Sequence, residues 1–399
     1  VFTLFQVFPI GSFAPDMKFP GNPPVDAQFT WDSPQTEQLA RAACYDCHSN
    51  ETRYPWYSNI APVSWLVYHD INEGRENLNF STWTAREIEV DNLIDQIEKG
   101  NIPTARKIEL IDSLSETGLN RIQIVSFVNP KAVPGMADAE QVVAGFNKKP
   151  GISYVGLWLN DKGLQRAIET QRLEVKGSVS LCASEPFLMR NQKRTMEENI
   201  PLQHQTMEMF KAHGVDVKRG AVMAAFGCNF AGDIPVETVL EVVRQAKEIA
   251  AAHGFNLQEM MLADTMAWAT PASIKRVVGA VQDKHPELSI TLHLHDTRGM
   301  GIANAYAGLE MGVKTFDAAV AGLGGCPFAG HRGAAGNVCT EDLVFMCDEM
   351  GIETGVNLEA LLDSARLAED IVGHPLPGSV MRGGSLRGLR NKIREAQTA

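Results

Sequence analysis

The stretch Leu-Ser-Ile-Thr-Leu-His-Leu-His-Asp-Thr, residues 288–297, has the alternating pattern of a β-strand whose two faces differ. Residues two apart on a strand point to the same face. The imidazoles of His293 and His295 therefore share one face, and Leu292 and Leu294 share the other. We expect the leucines to pack against helices and the imidazoles to point into the interior of the fold.

Outward from this strand, helical and strand patterns alternate from Thr104 to the end of the chain. The strands are runs of strand length with a β-branched or apolar composition. The seven predicted strands are 121–127, 153–159, 174–181, 217–226, 259–265, 289–295 and 315–322. Amphipathic helices are predicted between them, including 195–213, 235–253, 271–284 and 301–312. Repeated βα units of this kind imply a parallel sheet covered by helices, and this length favours an α/β fold of the (β/α)8 TIM barrel type.

The first element of this repeating part is a helix, residues 104–117, and not a strand. A barrel that opens with a helix has lost its first strand, so we expect seven strands in place of eight. The alternative is an unrecognised strand upstream, although residues 84–101 look helical and acidic.

The N-terminal part of the chain has a different composition. Residues 11–65 are rich in Pro, Trp, Tyr and Asn, and we expect them to form loops and short helices, followed by a helical stretch over 84–99. The pattern changes at Pro103. We therefore predict a small, mostly α-helical domain over residues 1–102 and an α/β barrel over residues 103–399.

Composition narrows the functional classes. The chain has 399 residues and contains no run of eighteen apolar residues that could span a membrane as a helix. Most of its net charge of −12 falls on residues 1–102, and no basic stripe indicates binding to nucleic acid. Seven Cys, an odd number, fit reduced thiols better than a disulfide framework. Residues Val1 to Ile10 are apolar and start without Met, which indicates the end of a signal peptide or anchor, with a poorly ordered terminus as the alternative.

Polar side chains recur where the predicted strands end, which is where barrel enzymes place their chemistry. Ser126 closes the first run, Asp264 ends the fifth, and His293 and His295 end the sixth. Two neutral imidazoles on one face form half of a divalent-metal site, and Asn337 offers a neutral oxygen to a metal. A pair of hydrogen-bonded core histidines is the alternative.

The loop Gly322-Leu323-Gly324-Gly325-Cys326-Pro327 follows the seventh run. Glycines make such a loop mobile and allow its backbone to approach a ligand. A thiol in this loop can swing over a bound substrate and carry a proton. The alternative, a buried inert thiol, suits Cys182, Cys339 and Cys347 better than Cys326.

These motifs together resemble the 3-hydroxy-3-methylglutaryl-CoA lyase family. The resemblance rests on the His-Leu-His-Asp-Thr strand, the Gly-Leu-Gly-Gly-Cys-Pro loop and the Gly-Asn-Val-Cys-Thr-Glu-Asp segment, and it covers residues 103–385. Val-Ser-Phe-Val-Asn-Pro-Lys at 125–131 and Leu-Ala-Asp-Thr at 262–265 extend it. The site residues that it implies are the metal ligands His293, His295 and Asn337 and the catalytic residues Cys326, Asp264 and Ser126.

The reaction that the resemblance implies is the retro-Claisen cleavage of a 3-hydroxyacyl-CoA thioester. A divalent metal, Mg²⁺ or Mn²⁺, would chelate the hydroxyl and carbonyl oxygens of the substrate while a base removes the hydroxyl proton and the C2–C3 bond breaks. Cys326 would protonate the acetyl-CoA carbanion, and acetoacetate would leave as the second product. The expected partner is an acyl-CoA, with a homodimer as a candidate assembly. A condensing synthase of the same superfamily fits the His-x-His strand but not the Gly-Gly-Cys-Pro loop.

The sequence departs from this family at two points. The family's opening strand carries Arg-Asp-Gly-Leu-Gln, whose Asp binds the metal and whose Arg stabilises the enolate, and this motif does not occur in the chain. The family often has Glu in its second strand where this chain has Gln123. Loss of one oxyanion donor costs roughly 10²–10³ in rate. We therefore expect the chain to be weakly active or inactive.

The N-terminal part contains Cys44-Tyr45-Asp46-Cys47-His48, the c-type haem attachment pattern. Two thiols add to the haem vinyl groups, and the adjacent His is placed to bind iron. A thiol redox pair and half a zinc site are the alternatives, although no second Cys/His pair at zinc spacing follows. Flanking segments, Pro55-Trp56-Tyr57 among them, resemble a bacterial haem-binding domain of membrane-anchored, cytochrome-like proteins. That domain usually continues into Gly-x-Met-Pro, whereas this chain has Gly100-Asn101-Ile102-Pro103 and lacks a Met that could be the other axial ligand. His69 is a candidate sixth ligand, with a solvated surface histidine as the alternative.

The two resemblances conflict over location. Covalent haem is attached in the periplasm or at a membrane anchor, whereas CoA thioesters are cytoplasmic. Both truncated ends meet at Ile102 and Pro103. We therefore expect a chimeric reading frame, with a genuine haem-sensing lyase as the rival interpretation. The alternative function is a haem-binding electron-transfer or sensing protein with a passenger barrel.

Overall fold

The computed structural model of the chain describes residues 19–25, 34–77, 81, 102–131, 133–158, 160–324 and 336–398. The chain divides into two compact units, Val1–Glu89 and Val90–Ala399. The domain boundary expected at residue 102 stays a prediction. The helical stretch expected over 84–99 and the apolar segment at 1–10 lie outside the described residues.

The N-terminal unit is mostly helical over its described residues, as the sequence predicts. Its elements are the α-helices α1 (Pro34–Ala43), α2 (Tyr45–His48) and α3 (Val63–Asn77) and a 3-10 helix, Trp56–Asn59. Arg75 of α3 holds the loops of this unit, because its guanidinium donates to the carbonyls of Ser49 and Gly21, each at 2.7 Å, and to the hydroxyl of Thr52 at 2.8 Å. Within the described ranges, no helix is long and apolar enough to cross a membrane.

The second unit alternates parallel strands with helices, which confirms the predicted TIM-barrel-like class. Its strands are β1 (Arg121–Phe127), β2 (Ser153–Trp158), β3 (Gly177–Cys182), β4 (Val217–Met223), β5 (Glu259–Asp264), β6 (Ser289–Leu294) and β7 (Thr315–Asp317). Its helices are α4 (Thr104–Ser115), α5 (Ala139–Gly145), α6 (Asp161–Glu169), α7 (Glu185–Gln192), α8 (Met196–Ala212), α9 (Val236–Ala252), α10 (Pro271–Lys284), α11 (Gly301–Glu310), α12 (Thr340–Glu349), α13 (Leu358–Val372), α14 (Val380–Gly383) and α15 (Leu386–Thr398). Short 3-10 helices lie at Pro134–Met136 and Val320–Gly322.

The strands pair in chain order and all pairs are parallel. β1 pairs with β2, and β3 to β7 form one five-stranded sheet. Among the described residues no ladder joins β2 to β3, and the amide of Glu174, ahead of β3, donates to the carbonyl of Tyr154 at 2.7 Å instead. The sheet of the barrel is therefore interrupted at this point.

Helix α4 precedes β1, as the sequence predicts, and it packs against α5 and α13. A first barrel strand would precede α4. Because residues 82–101 lie outside the described residues, the loss of that strand stays a prediction.

One face of β6 packs against the surrounding helices, and the other face carries the two histidines. Leu292 and Leu294 are fully buried, in one hydrophobic core with Leu262 of β5 and with Ile274 and Val278 of α10. Burying these side chains against the helices stabilises the layer by about 1.5–3 kcal/mol each. The opposite face of the strand is thereby left to the imidazoles, as the alternation predicts.

Two predicted strands end earlier than their apolar patterns suggest. The run 217–226 ends at Met223, because Ala224 has a positive φ of 55°. The run 315–322 ends at Asp317, and Ala321, with a φ of 53°, lies in a 3-10 helix. A left-handed residue cannot continue a pleated strand, so the chain turns at Ala224, directly after β4. Ala321 lies further along the chain than the end of β7 and does not cause it.

Candidate active site

The paired imidazoles lie at the carboxyl end of β6, on the same face of the strand. Nε2 of His293 is 3.3 Å from Nε2 of His295, and the ring centroids are 5.2 Å apart. The two rings therefore direct the same nitrogen towards one point. Burial and the neighbouring His293 lower the pKa of His295 to about 3, so its ring is neutral at neutral pH.

Asn337 is brought to this pair by a short extension of the sheet. It forms an antiparallel bridge with His295, flanked by hydrogen bonds from the Asp296 amide to the Gly336 carbonyl at 3.0 Å and from the Val338 amide to the Leu294 carbonyl at 2.8 Å. Its Oδ1 is buried and has no hydrogen-bond partner among the described residues. A buried amide oxygen without a partner is costly, which indicates that something else occupies its lone pairs.

The chemistry of these groups fits a divalent cation. Two nitrogens about 2.1 Å from one octahedral cation are about 3 Å apart when they lie at right angles, close to the observed separation of 3.3 Å. The Oδ1 atom of Asn337 would supply a third, neutral ligand. The described residues contain no group of three or more His, Cys, Asp or Glu side chains that could hold a metal. In the part of the chain that the structure describes, the pair and Asn337 are thus not joined by such a carboxylate group, and the loss of the motif Asp as a ligand stays a prediction.

Asp264 is buried at the end of β5 and is hydrogen-bonded to the backbone. Its side chain is 1% exposed and accepts hydrogen bonds from the amides of Trp268 at 2.7 Å and Ala269 at 3.1 Å. Burial raises its pKa to about 6, against the effect of these amides. Its carboxylate thus holds the turn after β5, and its catalytic role stays a prediction.

Of the other two predicted catalytic residues, Ser126 is described by the structure and Cys326 is not. Ser126 is half-buried on β1, opposite Leu157 of β2. Cys326 lies outside the described residues, so its role as the catalytic thiol stays a prediction. The described ends of its loop meet beside Asn337, where the Gly336 amide donates to the Gly322 carbonyl at 3.2 Å.

Three other thiols fit the description of inert packing groups. Cys182, Cys339 and Cys347 are free and buried. Burial raises the pKa of Cys182 to about 12, and it also raises the pKa of Cys339 and Cys347. A thiol whose pKa is raised in this way is rarely a thiolate and reacts slowly.

Sequence reasoning missed two charged residues next to His293. Oδ2 of Asp317, on β7, is 3.2 Å from Nδ1 of His293 and 3.0 Å from Nη2 of Arg219, on β4. Although burial raises it, the hydrogen bond from His293 and the charge of Arg219 hold the pKa of Asp317 below its ordinary value. The signal in the sequence was Arg219 itself, a charge on the opposite face of β4 from the exposed Lys218.

The Cys44–His48 motif in the N-terminal unit has a geometry that fits haem attachment. Cys44 and Cys47 are free and half-buried, Cys44 directly before α2 and Cys47 within it. Nδ1 of His48 is 2.9 Å from the carbonyl oxygen of Gly74, so Nδ1 carries the proton and Nε2 keeps its lone pair. A side chain at Gly74 would meet the Cys47 carbonyl, since a Cβ there would lie 2.7 Å from it.

Fold and site together define an enzyme of the parallel α/β barrel class, with its polar groups gathered at the carboxyl ends of the strands. The chain belongs to the HMGL-like family, whose model matches residues 95–368. A second model, the haem-binding domain, matches residues 1–121.

Relatives of known activity support this assignment. The chain is 42% identical over 269 residues to the mitochondrial hydroxymethylglutaryl-CoA lyase of Gallus gallus, covering 67% of this chain and 87% of that one. It is 37% identical over 276 residues to the hydroxymethylglutaryl-CoA lyase of Bacillus subtilis, covering 69% and 89%. A solved HMG-CoA lyase from Acinetobacter baumannii, in complex with coenzyme A and 3-methylmalate, superimposes with a TM-score of 0.64 at 39% identity, covering 74% of this chain and 92% of that one.

Proposed function

We propose that the barrel unit cleaves 3-hydroxy-3-methylglutaryl-CoA, or a similar 3-hydroxyacyl-CoA, to acetyl-CoA and acetoacetate with the help of a divalent cation. The observation that carries the proposal is the convergence of the two Nε2 atoms, 3.3 Å apart, beside the unpartnered Oδ1 of Asn337. Similarity adds support, because relatives at 42% and 37% identity are named hydroxymethylglutaryl-CoA lyases.

In this proposal the chain's own groups have three tasks. His293, His295 and Asn337 would hold Mg²⁺ or Mn²⁺, and a cation bound there would supply Lewis-acid polarisation of the substrate oxygens. A base accepts the hydroxyl proton, the hydroxyl oxygen becomes the ketone of acetoacetate, and the C2–C3 electron pair passes to the acetyl-CoA fragment. The thiol of Cys326 donates a proton to that carbon, with Asp264 and Ser126 in the pocket.

The rate of this chain should be low. A missing oxyanion stabiliser costs roughly 10²–10³ in rate, and the site has no described carboxylate that would bind the cation. The acyl group is open to variation, since one relative, from Pseudomonas aeruginosa at 37% identity, is named for both 3-hydroxy-3-isohexenylglutaryl-CoA and hydroxymethylglutaryl-CoA.

Release of acetoacetate by the full chain tests the proposal. With Mn²⁺ and 3-hydroxy-3-methylglutaryl-CoA, we expect a slow release that falls to background in His293→Ala and in His295→Ala. Cys347→Ala, a change to a buried thiol in α12, is the control and should keep the rate of the unaltered chain. Equal rates in the two histidine variants and the unaltered chain would contradict the assigned metal site, and no release at saturating substrate would contradict the activity.

A second function is proposed for the N-terminal unit: covalent haem bound through Cys44, Cys47 and His48, for electron transfer or sensing. The hydrogen bond between Nδ1 of His48 and the carbonyl of Gly74 supports it, because it fixes the tautomer in which Nε2 is the nitrogen able to bind iron. His69 is the proposed sixth ligand. Pyridine haemochrome spectra after export with a cytochrome maturation system should show haem c, and Cys44→Ala/Cys47→Ala should abolish the signal. An unchanged covalent signal in that variant would reject the assignment.

A further inference from the structure

A row of charged and polar side chains runs along the interior of strands β4 to β7. Nε of Arg219 is 3.1 Å from Oε1 of Glu259, an ion pair without the alignment of a hydrogen bond. The same Oε1 accepts the hydroxyl of Thr291 at 2.6 Å. Nη2 of Arg219 reaches Oδ2 of Asp317 at 3.0 Å. The row therefore ends on the carboxylate that contacts His293.

The partly buried charges of Arg219 and Glu259 are unusual inside a barrel sheet. The side chain of Arg219 is 19% exposed and that of Glu259 is 27% exposed. Removing such groups from water costs several kcal/mol per ion, and apolar side chains of similar volume would fill the same space at least as stably. Stability alone therefore explains this row of charges poorly. Among the described residues, the hydrogen bond that connects the row to the candidate active site is the one between Asp317 and His293.

We infer that Asp317 is a positioning residue that fixes the tautomer and orientation of His293, with Arg219 fixing Asp317. His293 and Asp317 are register partners on neighbouring parallel strands, which places their side chains side by side. Oδ2 of Asp317 accepts the proton on Nδ1 at 3.2 Å, so the lone pair of Nε2 points towards Nε2 of His295. This inference rests on the proposed metal site for its purpose, because imidazoles that bind metals commonly donate their other N–H to a carboxylate.

Arg219 sets the position of the carboxylate. One atom, Oδ2 of Asp317, accepts both the Arg219 guanidinium and the His293 imidazole. The guanidinium is held in turn by Glu259 at its Nε side. A carboxylate held by a planar donor from another strand cannot rotate freely, so it presents its lone pair to His293 in one direction.

The tautomer of His293 can be measured in the full chain without any metal. Two-bond ¹H–¹⁵N correlation spectra of histidine-labelled protein distinguish the two neutral tautomers, and His293→Gln assigns the signal. We expect the Nδ1–H tautomer in the unaltered chain and a mixture with the Nε2–H tautomer in Asp317→Asn. A predominant Nε2–H tautomer in the unaltered chain would overturn the inference, and that outcome is read from the unaltered chain once the signal is assigned.

The matched control is Asp161→Asn. Oδ1 of Asp161, the first residue of α6, lies 3.2 Å from Nε2 of His213, which follows α8. The separation is the same as in the proposed pair, but a different histidine is involved. This variant should leave the His293 signal unchanged. If Asp317→Asn also leaves it unchanged, Asp317 is only a counter-ion of Arg219 and the inference is wrong.

Titration calorimetry with Mn²⁺ separates this inference from the proposed function. Loss of such an outer carboxylate typically weakens metal binding by about 10–100-fold, so we expect that loss in Asp317→Asn and none in Asp161→Asn. If His293→Gln and His295→Gln bind Mn²⁺ with unaltered affinity, the proposed metal site is refuted. The tautomer measurement then still decides whether Asp317 positions His293. A loss in both histidine variants with none in Asp317→Asn would refute the positioning role alone.

Discussion

Among single residues, Glu341 shows how a buried carboxyl group links stability to pH. It is fully buried at the start of α12; its Oε2 accepts the Ala321 amide at 3.0 Å, and its Oε1 has no hydrogen-bond partner among the described residues. Burial raises its pKa to about 7 from an ordinary value of 4.5. Because the folded chain holds this proton more tightly than the unfolded chain, the associated stability is fully present below pH 4.5 and is lost as pH rises through about 7.

Glu341→Gln should remove this dependence. The free energy of unfolding of the unaltered chain should fall between pH 5 and pH 8 by an amount on the order of 3 kcal/mol attributable to this group. Denaturant melts at the two pH values should show a smaller fall in the variant. Glu353→Gln, at an exposed position, is the control and should keep the full fall. A variant with the same pH dependence as the unaltered chain would show that Glu341 is ionised in the folded state.

The proposed proton donor gives a second prediction at this scale. In a chain whose first barrel strand is restored, Cys326→Ala should lower the rate of cleavage by roughly 10²–10⁴, the range of a lost general acid or base. Affinity for Mn²⁺ should hardly change, because the thiol is not a proposed ligand. Cys347→Ala should leave the rate nearly intact. Full cleavage by Cys326→Ala would reduce the thiol to a structural role.

At the scale of elements, the loop between β7 and α12 depends on one close approach of the backbone. Gly336 lies against the carbonyl oxygens of Leu323, Gly324 and Gly322, and a Cβ on it would be 2.7 Å from the last of these. Carbonyl oxygens of the backbone cannot move aside as a side chain does. The contact joins the two described ends of the loop that carries Cys326 and places Asn337 beside His295.

Gly336→Ala should therefore destabilise the barrel unit and its site together. We expect a loss of about 1–3 kcal/mol in the free energy of unfolding and weaker binding of Mn²⁺, because Asn337 is displaced. Gly383→Ala is the matched control, since a Cβ there meets nothing within 4 Å and its φ is not positive. Denaturant unfolding and calorimetry measure the two effects, and an unaffected Gly336→Ala variant would mean that the loop ends adjust freely.

At the scale of the whole molecule, two units with different requirements share one chain. The proposed haem attachment would need reduced thiols at Cys44 and Cys47 and an exported location, whereas the proposed acyl-CoA substrate is expected in the cytoplasm. We propose that the joint near Pro103 arose as a chimeric reading frame. Chain expressed in the cytoplasm should then carry no covalent haem, and exported chain should carry haem but meet no substrate. Sequencing of the native locus across the joint decides between a chimera and a genuine haem-sensing lyase, which would show one continuous frame.

The sequence by itself determined the features that depend on neighbours along the chain. Alternation with a period of two placed His293 and His295 on one face of β6, and repeated βα units predicted the parallel barrel. The Cys44–His48 spacing indicated haem because attachment needs those residues adjacent in sequence.

Tertiary structure alone decided which distant groups meet. Arg219 and Asp317 are 98 residues apart and touch only because their strands share one sheet. Asn337 reaches His295 through a bridge that no local pattern encodes, and Asp264 turns to the amides after β5 rather than into open space. The early end of β4 at the left-handed Ala224 was equally hidden. The physical reason is that face alternation is set by backbone geometry within a strand, whereas these contacts depend on register and burial between strands.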